Sequence, residues 1–251
     1  MNLLEGKVAV ITGAATGIGR AIAIGFHKQG AKIAINYLQG QESEIESLKL
    51  EINDLLAIPG DISQQLTSEN LIQQTVQKFG EVNIFVSNAG VCQFAEFLEV
   101  TPDLYEQTVN INLNGAFYAT QSAAKQMKLQ GKGGSIIGVS SISALVGGGL
   151  QTHYTPTKAG ILSLMQSTAV ALGKYGIRCN ALLPGTIRTQ LNDEDMADDN
   201  KRSYMEGRIP LGRLGKTSDL AGPAIFLASD LSEYVTGSQI LVDGGLFVNL
   251  Q

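Results

Sequence analysis

Tyr154 and Lys158 stand four residues apart in "QTHYTPTKAG" (151–160). That is one helical turn, so on a helix the phenol and the ammonium share a face. A free tyrosine titrates at about 10 and exchanges protons slowly with a substrate at neutral pH. A lysine one turn away favours the phenolate and lowers that value. The pair therefore reads as a general acid/base, although the same spacing on an exposed helix is an ordinary side-chain pair. Upstream, "VSSIS" offers two hydroxyls, Ser140 and Ser141. Either would donate to a substrate oxygen and stabilise negative charge developing there. Pro156 suits a helix start, where first-turn amides lack intrahelical partners and proline loses nothing. From Gly133 to Thr157 there is no Lys, Arg, Asp or Glu, which fits a dry site where one remaining charge acts strongly.

A second stretch has the make-up of a phosphate cradle. "ITGAATGIGRA" follows an apolar run and opens a helical one. Gly13, Gly17 and Gly19 allow a tight turn and close approach of the backbone to a pyrophosphate. The helix start, with Thr16 and Ile18 in the loop, would aim its amides and dipole at the phosphates. The spacing differs from G-x-G-x-x-G and from a P-loop. Its place between strand and helix is what makes it read as a dinucleotide site.

The elements that must position these residues alternate along the chain. β-branched or apolar runs predict strands at 7–12, 31–36, 55–61, 82–90, 134–141, 177–185 and 238–245. Helical patterns fill 17–30, 41–53, 63–79, 101–129, 152–175 and 219–229. Ser63 and Thr101 are the expected caps of two of them, with Pro102 at a first position. The expected fold is α/β: one Rossmann-type doubly wound parallel sheet of seven strands flanked by helices, a single domain over 1–251. Residues 190–210 are polar and without clear period, and read as a substrate lid.

T-G-x-x-x-G-x-G after strand one, "NAG" after strand four, a serine after strand five, Tyr-x-x-x-Lys, then "PG" after strand six: this order resembles the short-chain dehydrogenase/reductase family. The resemblance runs the length of the chain. It selects Ser141 over Ser140, makes Tyr154 the acid/base, and has Lys158 hold the nicotinamide ribose. It also makes Asn112 in "NINLNGAF" a fourth catalytic residue that supports a water to the lysine, with Asn110 and Asn114 close by as rivals. For the cofactor it implies Asp61 and Ile62 at the adenine, and Asn88, Ala89 and Gly90 beside the adenosine ribose. Pro184, Gly185, Ile187 and Thr189 would lie near the nicotinamide. Stretches such as "FVSNAGVC" and "QTHYTPTKAGILSLMQSTA" are similar to sugar dehydrogenases of the family that oxidise the anomeric hydroxyl of L-rhamnose to a lactone.

After the second strand a carboxylate would bind the ribose hydroxyls and repel a 2′-phosphate. Here Asn36 and Tyr37 replace the acid, and Thr16 stands where many NADP-specific members carry a base. Use of both NAD and NADP is expected. Gln151, Thr186 and Asn192, with Ser143 beside Ser141, are the expected substrate contacts, and their polar heads suit a polyhydroxylated sugar. The enzyme rival is a ketone or oxoacyl reductase running the same residues in reverse. The rival of another class is a catalytically silent dinucleotide sensor or scaffold, which would need none of the Ser-Tyr-Lys-Asn set.

Composition bounds the rest. The 251 residues suffice for one well-buried domain, and a net charge of −5 with no dense basic cluster excludes a nucleic-acid or polybasic membrane partner. The uncharged stretch 133–157 carries too many glycines and serines for a membrane span. Two cysteines, no N-glycosylation sequon and an N-terminus unlike a signal peptide suit the cytoplasm. His153 is expected at a structural or rim position, and neither it, His27 nor Asp193–Asp199 is read as a metal ligand. Cys92 is assigned no chemistry. The family resemblance implies a homotetramer packed on the helices at 101–129 and 152–175.

Overall fold

The computed structural model describes residues 2–190 and 197–249. Seven strands form one parallel sheet in the order β3-β2-β1-β4-β5-β6-β7. They are β1 (Val8–Ile11), β2 (Lys32–Tyr37), β3 (Leu56–Pro59), β4 (Ile84–Ser87), β5 (Gly134–Val139), β6 (Ile177–Pro184) and β7 (Gln239–Val242). Parallel strands need crossovers, and helices supply them: α1 (Gly17–Lys28), α2 (Glu42–Lys49), α3 (Gln65–Phe79), α4 (Pro102–Val109), α5 (Gly115–Gln130), α6 (Thr155–Leu172), α7 (Asp199–Arg208) and α8 (Ala221–Ala228).

Strand side chains alternate between two cores, one on each face of the sheet. Ile11, Ile35, Val86, Ile137 and Leu182 join Ile22 and Phe26 of α1, Leu48 of α2 and Leu227 of α8. Val10, Ala34, Phe85, Ile136 and Leu183 join Leu71 of α3, Met127 of α5 and Met165 of α6. Both faces are covered, which is why the strands read as unbroken apolar runs.

The expected strands are all present, with ends shifted by a residue or more, and three helix expectations need correcting. The stretch 101–129 is not one α-helix. It is α4, a π turn at Asn110–Asn114, and α5. Thr101 does cap α4, its hydroxyl accepting from the Leu104 N–H at 3.2 Å, and Pro102 opens it. Ser63 is not the cap of α3; Gln64 holds that position. The Ser63 N–H instead donates to Asp61 Oδ1 at 2.9 Å, a short Asx turn that competes with capping. Helix α6 starts at Thr155, with Tyr154 at the cap and Pro156 in its first turn.

Candidate active site

The sequence order of the sheet reverses between β1 and β4, so the crossovers diverge there and open a crevice at the carboxyl ends of the strands. The loops after β1, β4, β5 and β6 meet at that crevice. They carry Gly13, Asn88 to Cys92, Ser140 and Ser141, and Gly185 to Thr189.

Lys158 is buried, its Nζ donating to the Val139 carbonyl at 3.0 Å and lying 5.5 Å over the Tyr154 ring. Burial pulls the lysine from 10.5 down to about 8. Burial also pushes the Tyr154 phenol above its ordinary value, Cys92 adds to the rise, and a hydrogen bond with Ser141 pulls against it. The expected lowering of the tyrosine by the lysine is therefore not the dominant effect in this site. The ammonium sits over the ring face and on a carbonyl, and desolvation of the phenol wins.

The two serines separate cleanly. Ser140 is buried and its hydroxyl donates to the Lys158 carbonyl at 2.7 Å, so it fastens α6 to β5. Ser141 is the serine that reaches Tyr154; its Oγ also accepts from the Ser143 N–H at 3.0 Å.

Asn112 is fully buried within the π turn. Its Oδ1 accepts from the Val91 N–H at 2.8 Å, while Nδ2 donates to the Val91 carbonyl at 2.9 Å and to Thr157 Oγ1 at 3.2 Å. Asn110 and Asn114 bond each other at 2.8 Å away from the crevice. A side chain at Gly90 would meet Asn112 Oδ1 at 3.2 Å and Lys158 Nζ at 3.5 Å. Glycine there lets the loop after β4 lie against both.

The glycine loop fits a nucleotide diphosphate. Gly13 has a φ of +61°, and a Cβ on it would lie 2.8 Å from Ala89 Cα, so β1 and β4 close on each other only with glycine there. Asn88 Nδ2 donates to the Thr12 carbonyl at 2.9 Å and the Gly13 carbonyl at 3.0 Å. Helix α1 begins with no side-chain hydrogen bond from Thr16 and no acid in its first turn. Its first amides are therefore available to an anion. Gly17 faces open space, with Thr189 Cγ2 the nearest atom to a Cβ there at 3.9 Å.

At the end of β2 the expected contacts divide. Asn36 is buried and its amide donates to the Gly60 carbonyl at 2.8 Å, joining β2 to the turn after β3. Tyr37 is half-buried at the strand end. Asp61 is exposed, but Ile62 is buried in the core beneath. The nearby cation Arg20 is committed to the Glu44 carbonyl, Ser47 and Glu51.

On the substrate side, Gln151 Nε2 donates to Cys92 Sγ at 3.4 Å. Thr186 is fixed by its carbonyl, which accepts from the Gly215 N–H at 3.0 Å. Ile187 is buried and Pro184 ends β6. A cavity of about 190 Å³ adjoins Thr186, Ile187 and Asp243. Asn192 lies outside the described residues, as do Asp193, Glu194 and Asp195.

The sequence reading passed over Thr12. Its buried Oγ1 accepts from the Asn88 N–H at 3.0 Å and the Ala89 N–H at 3.1 Å, which fixes the loop that would face the ribose. The only signal was its position before Gly13. His153 is buried, and neither ring nitrogen has a hydrogen-bond partner among the described residues. Asp198 caps α7 by accepting from the Asn200 and Lys201 amides, and Asp199 pairs with Arg202. No described helix is long and apolar enough to cross a membrane.

Comparison with known proteins places this geometry. Residues 13–247 match a family model described as enoyl-(acyl carrier protein) reductase. The chain is 68% identical over 256 residues to the L-rhamnose-1-dehydrogenase of Scheffersomyces stipitis, covering 100% of this chain and 99% of that protein. It is 56% identical over 255 residues to the L-rhamnose 1-dehydrogenase (NAD(P)(+)) of a Sphingomonas species, covering 100% of each. A solved short-chain type dehydrogenase/reductase from Mycobacterium marinum superposes with a TM-score of 0.90 at 33% identity, covering 97% of this chain and 96% of that one.

Proposed function

The chain belongs to the short-chain dehydrogenase/reductase family and is an NAD(P)-dependent oxidoreductase, and from that premise we propose that it oxidises the anomeric hydroxyl of an aldose, L-rhamnose, to the lactone. Full-length identity of 68% to an L-rhamnose dehydrogenase is the observation that carries the substrate. The reductase reading draws on the family model's description.

The bound nicotinamide supplies the hydride acceptor. Tyr154 takes the proton from the sugar hydroxyl, and Ser141 donates to that oxygen and orients it. Lys158 stabilises the phenolate through its charge, and Asn112 holds the loop after β4 against α6 through Val91 and Thr157. Gly13, Thr16, Gly17, Ile18 and Gly19 would bind the pyrophosphate, and Gly185, Ile187 and Thr189 would border the nicotinamide. Gln151, Ser143, Thr186 and Asn192 would contact the sugar, with residues 190–210 as the lid.

Dual use of NAD and NADP follows from the end of β2, where Tyr37 brings no carboxylate to repel a 2′-phosphate and Arg20 is not free to bind one. The Sphingomonas relative, named for both cofactors, supports the same reading. We further propose that the enzyme is cytoplasmic and a homotetramer packed on the helices of 101–129 and 152–175, as the family resemblance implies. The test is nicotinamide reduction followed by absorbance, with a panel of aldoses and, in the reverse direction, of ketones. Turnover of L-rhamnose with both cofactors is expected. Silence on aldoses with turnover of ketones would replace this reading with the reductase.

A further inference from the structure

Gln151 stands on the loop after β5, and its amide is held by one side-chain hydrogen bond and lies close against Gly148. Nε2 donates to Cys92 Sγ at 3.4 Å. A Cβ on Gly148 would lie 2.5 Å from Gln151 Oε1 and 3.1 Å from its Cβ. Glycine is needed for the amide to lie there. The two loops are joined again nearby, where the Ala95 N–H donates to the Leu150 carbonyl at 3.0 Å. The Gln151 carbonyl in turn accepts the Tyr154 and Thr155 amides, each at 2.9 Å. The Gln151 side chain and the turn that presents Tyr154 thus belong to one clasp. Among the described residues, Cys92 is the one side chain that hydrogen-bonds the Gln151 amide.

We propose that Cys92 is a specificity-determining positioning residue, whose sulfur orients the Gln151 amide toward the substrate hydroxyls. The inference rests on the aldose reading of this site. A thiol suits the task. Burial pushes it up, so it stays uncharged at neutral pH. As a weak acceptor it fixes the direction of the amide without competing strongly for the substrate's donors.

The test is steady-state kinetics of Cys92→Ala, Cys92→Ser, Gln151→Ala and the double alanine variant, with L-rhamnose. Loss of one neutral hydrogen bond is expected to raise the sugar KM about three- to tenfold in Cys92→Ala. The KM for the nicotinamide should stay within about twofold, since a positioning contact for the sugar leaves the nucleotide side intact. Cys92→Ser keeps an acceptor and should return the sugar KM to near the parent value. In the Gln151→Ala background, Cys92→Ala should add nothing. An unchanged sugar KM in Cys92→Ala, or an equal penalty with and without Gln151, overturns the proposal while the parent enzyme still turns over the sugar. A parent enzyme inert toward every aldose would overturn the aldose reading and this inference together.

Discussion

At the scale of single residues the site is shaped by desolvation. Lys158 titrates at about 8 in the folded chain against 10.5 ordinarily. Below 8 it is charged whether folded or unfolded, and the fold carries the full cost of the buried ammonium. As pH rises from 8 through 10.5 the folded chain sheds its proton first, and the cost disappears. That interval corresponds to about 3 kcal/mol. Lys158→Met is therefore expected to raise the melting temperature of the unliganded protein at pH 7 and to lose most of the turnover. The stability gain over the parent should shrink toward zero by pH 10.5; thermal denaturation against pH checks it, and a variant less stable at pH 7 contradicts it. His153 touches neither Tyr154 nor Ser141 through a hydrogen bond. His153→Phe should accordingly keep the kcat pH profile that Tyr154→Phe abolishes. The types and spacing of Tyr154 and Lys158 were legible in the sequence. Ser140 and Ser141 were not separable by chemistry, because only packing decides which hydroxyl is spent on the Lys158 carbonyl. Nor did the sequence show that the Asn36 amide is spent on the Gly60 carbonyl, since that too is decided by packing.

At the scale of elements, the π turn was invisible to a 3.6-residue pattern. One added residue leaves the apolar periodicity of 101–129 almost intact, yet it places Asn112 inward and Asn110 and Asn114 outward. Asn112→Ala would strand the Val91 amide and carbonyl without a partner, a loss on the order of 3 kcal/mol. It should appear in denaturant unfolding together with weakened activity; wild-type stability would show that the kink holds without its side chain. The cap of α3 was misread because Asp61 satisfies the Ser63 amide locally, which no helix-start pattern reports. The glycine loop was legible from its place between strand and helix. Gly13→Ala should weaken nucleotide binding tenfold or more in a fluorescence titration, because a Cβ 2.8 Å from Ala89 Cα forces β1 and β4 apart.

At the scale of the molecule, alternation of strand and helix was enough for the doubly wound sheet. Right-handed crossovers are shared by several doubly wound strand orders, so the order 3-2-1-4-5-6-7 was not legible from alternation alone. Assembly is another matter, since an amphipathic pattern does not say which face meets another copy. Phe117 and Leu129 on α5 and Val170 on α6 are exposed, Val170 at 88%. We propose that a second copy covers them. Light scattering should give a tetramer, and Val170→Glu should shift it to smaller species; a monomer for the parent chain would contradict that assignment.

The most direct measurement of the central claim uses L-rhamnose deuterated at C1. Oxidation at the anomeric carbon predicts a slowed rate when chemistry limits turnover, deuterium recovered in the reduced nicotinamide, a lactone as product, and loss of all three in Tyr154→Phe. Reduced nicotinamide free of deuterium would show that the bond broken is not at C1, and would contradict the account.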